Sequence, residues 1–393
     1  MATLPKIILK RGREKPLLRG HPWVFSGAVE RIDGEVSPGE IGEAYSFERQ
    51  FLGIGHLNPQ SQIIFRLLSS QREEIGVSFF RDRIFAATRM REQWLKGVTN
   101  AYRMVNGEGD FLPGLIVDRY GNVLVIQCLT AGMERLKGIF IDLLASEFHP
   151  ESIYERSDAA TRKEEGLSEA KGLLYGKDIP DWVEIEESGC RFRIRIKEGQ
   201  KTGFYLDQRE NRRRLKEVSQ GKHILDVCCY TGAFSTYAGL GGAREVTLLD
   251  SSQEALEMAE GHFHLNRLGS LPRKFIRGDA FEKLRSFQPE YDIVILDPPS
   301  FAKKRSHLSK AARGYKDLNL QAFRLLRREG LLFTFSCSHH MDLDLFQKIV
   351  FSAAVDAGRQ VQFIGRMSHP IDHPVNLCHP EGEYLKGIIC RVG

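Results

Sequence analysis

Three apolar runs in the second half of the chain end in a carboxylate: EVTLLD at Asp250, KFIRGD at Asp279 and YDIVILD at Asp297. One acid in such a place is commonplace, whereas three in succession could form a site. An ionised carboxylate only accepts hydrogen bonds, so it suits ribose hydroxyls and the amino group of a base. Asp250 stands roughly 25 residues beyond the start of an earlier run, HILDVCC (223–229), the place of a ribose acceptor in nucleotide-binding sheets. A nicotinamide dinucleotide would use the same acceptor, but it also wants G-x-G-x-x-G so that backbone can approach a pyrophosphate. The turn here is CYTGAF (229–234), with Gly232 alone. A single glycine admits a compact uncharged group and cradles a pyrophosphate poorly. The pattern therefore favours S-adenosylmethionine over NAD. The plainer reading of the three acids is that they cap helices.

The elements that would position these residues are short buried strands alternating with helices. HILDVCC, EVTLLD, KFIRGD, YDIVILD and GLLFTFS (330–336) are the strands. Ser251 with Glu254 three residues later is read as a capping box opening the helix after the second of them. Such alternation predicts an α/β fold, a Rossmann-like parallel sheet covered on both faces, with ligands at the carboxyl ends of its strands. Upstream, FRIRI (192–196) reads as a strand and 207–218 as a helix. The first 75 residues read as a small β-barrel, with short strands at 7–10, 23–27, 51–57 and 63–68. From residue 76 the period changes. Val77, Phe80, Ile84, Ala87, Met90 and Trp94 step by three or four and predict one face of a helix. LPGLIVDRY and VLVIQCL flank Gly121-Asn122 as a hairpin, followed by a helix over 134–147 and a strand at 152–156. Three domains are expected: a barrel over 1–75, a small α+β domain over 76–185 and the Rossmann-like domain over 186–393.

Composition agrees with this division. The chain has 393 residues, 42% hydrophobic and 27% charged, a size that suggests two or three cores. The longest apolar runs fall far short of the ~20 residues of a membrane span, and no leader-like segment opens the chain. A cytoplasmic protein with no membrane partner is expected. Seven cysteines without a CxxC pair or zinc spacing predict reduced thiols and no structural metal. Positive charge is concentrated. Residues 1–20 hold Lys6, Lys10, Arg11, Arg13, Lys15 and Arg19 against Glu14, and residues 302–316 hold Lys303, Lys304, Arg305, Lys310, Arg313 and Lys316 against no acid. One such run is usually a solvated face, but two in one chain favour a nucleic-acid partner.

DVCCYTGAFS, GQKTGFYLDQRENRR (199–213), DPPSF (297–301) and SCSHHM (336–341) resemble the bacterial and archaeal ribosomal RNA large subunit methyltransferases. RGHPWVFSGAV (19–29), NGEGDFLPGLIVDRYGN (106–122) and YERSDAATRKEEGL (154–167) extend the resemblance over essentially the whole chain. It implies an N-terminal PUA domain, an α/β middle domain and a class I methyltransferase domain using S-adenosylmethionine. It also implies that Tyr205, Gln208 and Arg209 flank the methionine end of the cofactor, that Thr231 and Gly232 line the pocket, that Asp250 holds the ribose, and that Asp279 with Ala280 reads adenine. Arg209 could instead belong to a surface helix face with Arg212, Arg213 and Arg214.

The implied product is 5-methylcytosine in large-subunit ribosomal RNA. Cytosine carbon 5 is too weakly nucleophilic to be methylated unaided, and thiolate attack on carbon 6 makes it enamine-like. Cys337, directly after GLLFTFS, is the expected nucleophile. Cys229 is its nearest rival, Cys228 is expected to point into the core, and Cys128, Cys190, Cys378 and Cys390 are read as structural. Asp297 is expected on the pyrimidine edge, Phe301 on the extruded base, and Lys303, Lys304, Arg305, Lys310 and Arg313 on RNA phosphates. A homodimer is left open. Methylation at uracil carbon 5 or guanine nitrogen 7, or a noncatalytic role in ribosome assembly, would fit much of the same sequence.

Overall fold

The computed structural model describes residues 4–302 and 304–393. Contacts divide the chain into two units. The first runs to Ile185 and also takes Ile194–Leu206 and Ile371–Gly382; the second comprises Glu186–Arg193, Asp207–Pro370 and Glu383–Gly393.

The first unit carries two sheets. One has six strands, in the order Trp23–Phe25, Ile63–Ser69, Phe51–Leu57, Glu40–Tyr45, Lys6–Leu9 and Val29–Asp33. All neighbours are antiparallel except Lys6–Leu9 with Glu40–Tyr45. Ile7, Leu9, Val24, Leu57 and Phe65 form its core. The other sheet has five strands, and its Leu115–Tyr120 and Val123–Cys128 pair Tyr120 with Val123 around the expected Gly121-Asn122 turn. Ala131–Arg135 and Lys137–Phe148 fill the helix expected near 134–147.

Helix Val77–Leu95 forms and buries Phe80, Ile84 and Ala87 of the expected face, but the buried stripe is rotated toward its ends. Val77 and Trp94 are exposed, while Phe79, Thr88 and Arg91 turn inward. Arg91 explains part of this rotation. Its guanidinium makes two bonds to Asp110, at 2.7 and 2.6 Å, and a third to the Asp372 carbonyl at 3.0 Å. A buried charge needs such a complete set of partners.

The second unit is built on one seven-stranded sheet, whose strands in chain order are β1 His223–Val227, β2 Glu245–Asp250, β3 Arg273–Arg277, β4 Tyr291–Leu296, β5 Leu326–Ser336, β6 Val361–Met367 and β7 Lys386–Val392. The spatial order is β3-β2-β1-β4-β5-β7-β6. Strands β1 to β5 are mutually parallel, and their order reverses beside β1, the crevice where such sheets bind ligands. Alternation along β4 shows how the sheet is covered twice. Ile293 and Ile295 join a core with Phe234, Ala259 and Phe263, whereas Val294 and Leu296 join another with Tyr315, Leu318 and Phe346. The expected all-parallel sheet is corrected at one edge: β7 lies antiparallel between β5 and β6. A strand that returns beside its predecessor without a crossover must run the opposite way.

The helices that bear on the site are α1 Arg209–Val218, α2 Ala233–Leu240, α3 Gln253–Leu265, α4 Ala280–Lys283, α5 Leu308–Leu325 and α6 Leu343–Asp356. The cap of α3 is corrected by one residue. Ser252, not Ser251, accepts a bond from the Ala255 amide at 3.2 Å, while the Ser251 position still belongs to the exit from β2.

Candidate active site

Strand β1 is followed by a tight loop, Cys228–Gly232. Cys228 (φ 60°), Tyr230 (φ 48°) and Gly232 (φ 67°) are all left-handed. That conformation costs roughly 1–2 kcal/mol at a residue other than glycine, so the surroundings must hold the loop in place. At Gly232 a Cβ would come within 2.8 Å of the Ala259 Cβ and 2.9 Å of the Leu248 side chain. The lone glycine of this turn thus lets α3 pack close against it. Thr231 is buried, and its carbonyl lies 2.9 Å from Nδ1 of the buried His262.

The three strand-end carboxylates are at one rim, and each has work in the fold as well. Asp250 accepts the Tyr230 amide at 2.8 Å and the Ser252 amide at 2.9 Å, tying the loop after β1 to the start of α3. Each carboxylate oxygen has two lone pairs, so acceptor capacity remains for ribose hydroxyls. Asp279 is exposed, and its Oδ1 caps α4 through the amides of Phe281 and Glu282 at 2.8 and 3.2 Å. Ala280 follows it, half-buried against the core. Asp297 is half-buried and accepts a bond from Gln208 Nε2 at 3.0 Å. Gln208 in turn accepts from Asn211 at 2.6 Å.

The possibility that Arg209 sits on a surface helix is overturned. Arg209 and Arg212 are fully buried, and Arg212 bonds Glu187 at 2.6 Å, while only Arg213 and Arg214 face solvent. Tyr205 lies in the first unit, half-buried, with its hydroxyl on Gln200 and the Lys201 ammonium 4.7 Å from its ring centre.

Cys337 stands just beyond β5, half-buried, with Sγ 3.9 Å from the Pro298 carbonyl oxygen. The DPPSF segment leaves the neighbouring parallel strand, where Leu296 pairs with Thr334. Ser338 pins the two segments together. Its hydroxyl lies 3.0 Å from that of Ser300 and 3.1 Å from that of Tyr315, and it accepts the Ala302 amide at 3.4 Å. A thiol and a carboxylate therefore share the rim on adjoining strand ends.

The other cysteines are sorted by burial. Burial, then the carboxylates of Asp250, Asp297, Asp226 and Asp279, push the Cys228 thiol up to about 12. Cys229 is raised well above its ordinary value by burial and then Asp226 and Asp250. Cys228 packs, as expected, against the core that holds Val294 and Leu296. Cys228 is half-buried there, whereas Cys229 is buried in the core on the other face, with Phe234 and Leu248. Cys128, Cys190 and Cys390 are buried and Cys378 is exposed.

Phe301 is half-buried against the core, 4.7 Å from the Tyr315 ring and 5.9 Å from that of Phe281, so it serves packing on one side at least. Lys304, Arg305, Lys310 and Arg313 are exposed along the start of α5 and the turn before it, and Lys303 lies outside the described residues. Two buried ionisable groups near the rim escaped the sequence reading. Asp226, within β1, accepts both the amide and the hydroxyl of Ser235, and burial raises its carboxyl to about 7. Lys386 opens β7. Its only signal was a charge heading the apolar stretch GIIC (387–390), in a residue type almost never buried unpaired.

A pocket edged by several carboxylates repels pyrophosphate and suits a cation. The residues present thus fit a sulfonium cofactor, with an acceptor for ribose at Asp250 and a glycine-tightened turn beside it.

Comparison with known proteins adds the following. Residues 7–70 match the model of a PUA-like domain, and residues 164–376 match that of an S-adenosylmethionine-dependent methyltransferase. The ribosomal RNA large subunit methyltransferase I of Citrobacter koseri is 43% identical over 98% of this chain and 99% of its own. That of Pseudoalteromonas atlantica is 44% identical with the same coverage. Among solved structures, a SAM-dependent methyltransferase from Streptococcus mutans superposes with a TM-score of 0.85 at 24% identity, covering 98% of this chain and all of its own. A methyltransferase structure complexed with SAH gives a TM-score of 0.86, with the same identity and coverage. At that identity the two structures speak for the fold.

Proposed function

The chain belongs to the ribosomal RNA large subunit methyltransferases that use S-adenosylmethionine, and from that premise we propose that it makes 5-methylcytosine in large-subunit ribosomal RNA through a transient bond from Cys337. The observation that carries the choice of a pyrimidine carbon 5 is the pairing of Cys337 and Asp297 on adjoining strand ends, joined through the Ser338–Ser300 contact, and the cytosine follows the family. A guanine nitrogen is nucleophilic already and needs no thiol. A pyrimidine carbon 5 does.

S-adenosylmethionine, when bound, supplies an electrophilic methyl group. Asp250 would take the ribose hydroxyls, Asp279 and Ala280 the adenine, and Thr231 and Gly232 the wall of the pocket, with Gln208 and Arg209 toward the methionine end. Tyr205 belongs to the first unit and is kept out of this set. The Cys337 thiolate adds to carbon 6, and its electron pair makes carbon 5 enamine-like. Asp297 accepts from the exocyclic amine and shares a proton with the ring nitrogen as charge develops there, a service of general acid–base type. Once carbon 5 carries its methyl group, a base, with water the simplest, takes the carbon 5 proton, and the freed electron pair restores the double bond and expels the Cys337 thiolate. The target must be unstacked for this chemistry. Lys304, Arg305, Lys310 and Arg313 would hold the flanking phosphates, and the PUA-like domain would supply further RNA contacts. The proposed setting is the cytoplasm, where thiols stay reduced.

Mapping modified nucleosides in ribosomal RNA from cells lacking the protein tests this directly. Loss of a single 5-methylcytosine from the large-subunit RNA is expected. Loss of a 5-methyluridine or a 7-methylguanosine instead would overturn the base assignment.

A further inference from the structure

Lys386 is 4% exposed and opens β7, where it pairs across the sheet with Ser336, the residue before Cys337. Its Nζ donates to the carbonyl of Ser338, the residue after Cys337, at 2.7 Å, and to that of Tyr384 at 2.8 Å. The strand pairing thus sets the lysine beside the residue before the thiol, and its ammonium is fixed against the backbone of the residue after it. Two of its three donors are committed to carbonyls, so it cannot swing out to solvent without losing both bonds. We propose that Lys386 is a positioning residue for the reaction, its buried ammonium holding the Cys337 side chain in the thiolate form that attacks the pyrimidine.

This inference rests on the nucleophile assignment above. Charge around Lys386 is consistent with it. Burial lowers its pKa to about 8, and the strongest influence in the opposite direction is negative charge on Cys337, ahead of Glu383 and Asp342. Glu383 lies just before β7, and Asp342 caps α6. The other polar neighbours are turned elsewhere: the Tyr384 hydroxyl donates to Asp207 at 2.7 Å, and His369 takes the Leu385 amide at 3.1 Å. The exposed His339 ring stands 5.7 Å from that of Tyr384. An opposite charge nearby favours the charged form of each partner. In the cycle, the Cys337 proton leaves to water while Lys386 keeps its own. The negative charge passes to the pyrimidine when the carbon–sulfur bond forms, is cancelled when carbon 5 takes the methyl group, and reappears on sulfur, facing the same ammonium, when the carbon 5 proton is given up to base and that bond breaks.

The test is the rate of iodoacetamide alkylation of Cys337 against pH, in the full chain without RNA, read by peptide mass spectrometry with the exposed Cys378 as internal standard. In the unaltered protein the Cys337 midpoint should fall below that of Cys378. Lys386→Gln, which keeps N–H donors but no charge, should move it up by about one pH unit, roughly a tenfold loss of reactivity at pH 7. Lys386→Arg should restore most of it, and the rising limb of kcat/KM should follow the same order. A Cys337 midpoint unchanged by Lys386→Gln would overturn the proposal. So would a midpoint at or above that of Cys378 in the unaltered protein, an outcome that needs no variant to fold. Methylation surviving in Cys337→Ala would instead overturn the nucleophile assignment, and the alkylation curves would stand apart from that result.

Discussion

Two thiols at the carboxyl rim of one sheet have opposite surroundings. Cys229 follows β1 and is buried in the core, and burial together with the carboxylates of Asp226 and Asp250 holds it as a thiol. Cys337 follows β5, is half-buried, and has a lysine ammonium anchored on the carbonyl of the next residue. Strand position alone does not separate them; the charge that each loop gathers does. The loop after β1 collects anions, which suits a positively charged cofactor and disarms any thiol among them. The rim at β5 brings a cation, which suits a thiolate.

The sharpest way to break this contrast is to exchange the fates of the two residues. Cys337→Ala should reduce methyl transfer to ribosomal RNA by at least about a thousandfold, because an uncatalysed carbon 5 has no other route to activation. Binding of S-adenosylmethionine, followed by calorimetry, should be unchanged. Cys229→Ala should keep transfer within a few fold and show its effect as lost stability, a small cavity in the core. Equal losses in the two variants would remove the distinction.

Much of this was legible from residue order, and what was missed has physical causes. The four inner parallel strands were readable because strands buried on both faces are continuous apolar runs, as along Ile293–Leu296. Strands β6 and β7 were not. β6 is largely exposed along Val361–Met367 and has no clean period, and β7 takes its place by returning antiparallel into a gap that chain order does not reveal. Cys337 and Asp297 could be singled out because each directly follows a buried strand. Lys386 could not, since its bond to the Ser338 carbonyl joins residues 48 positions apart. The outward turn of Trp94 was hidden for the same reason. Periodicity sees side chains along one helix, and the Arg91–Asp110 pair that draws an adjoining position inward is a partnership with a different element.

Next in size is the ligand side of the contrast. Asp250→Asn keeps one acceptor oxygen but loses the charge, and should weaken S-adenosylmethionine binding about ten- to a hundredfold, roughly 1.4–2.8 kcal/mol. Unchanged affinity would mean that Asp250 serves only the Tyr230 and Ser252 amides. Changing Lys304, Arg305, Lys310 and Arg313 together to Gln should act elsewhere. RNA affinity should fall roughly tenfold or more at low salt, and the slope of log K against log salt should become shallower by about 0.7 for each phosphate no longer neutralised. A weaker affinity with no change in that slope would count against a role in holding phosphates.

The smallest effect on methyl transfer is expected at Asp226, which probes through stability why the first rim is anionic at all. Asp226 accepts the Ser235 amide at 3.2 Å and its hydroxyl at 2.7 Å, yet burial raises its carboxyl from an ordinary 3.8 to about 7. For an acid raised by folding, the unfolded chain gives up its proton first. The folded form then holds more protons across the interval, so stability falls as pH rises from about 4 to about 7 and levels off above that. The full gap corresponds to an upper limit on the order of 4 kcal/mol. Asp226→Asn keeps an oxygen for Ser235 and removes the titration. Its denaturation midpoint should match that of the unaltered protein near pH 4.5 and exceed it at pH 8, with differences at intermediate pH tracing the ionisation of Asp226. With one negative charge gone, Cys229 should also become easier to alkylate once denaturant opens the core slightly, while Cys337 keeps its rate. A stability difference that is the same at both pH values would show that Asp226 stays ionised throughout, and the acidity of the first rim would then be a structural charge that the fold sustains rather than one it suppresses.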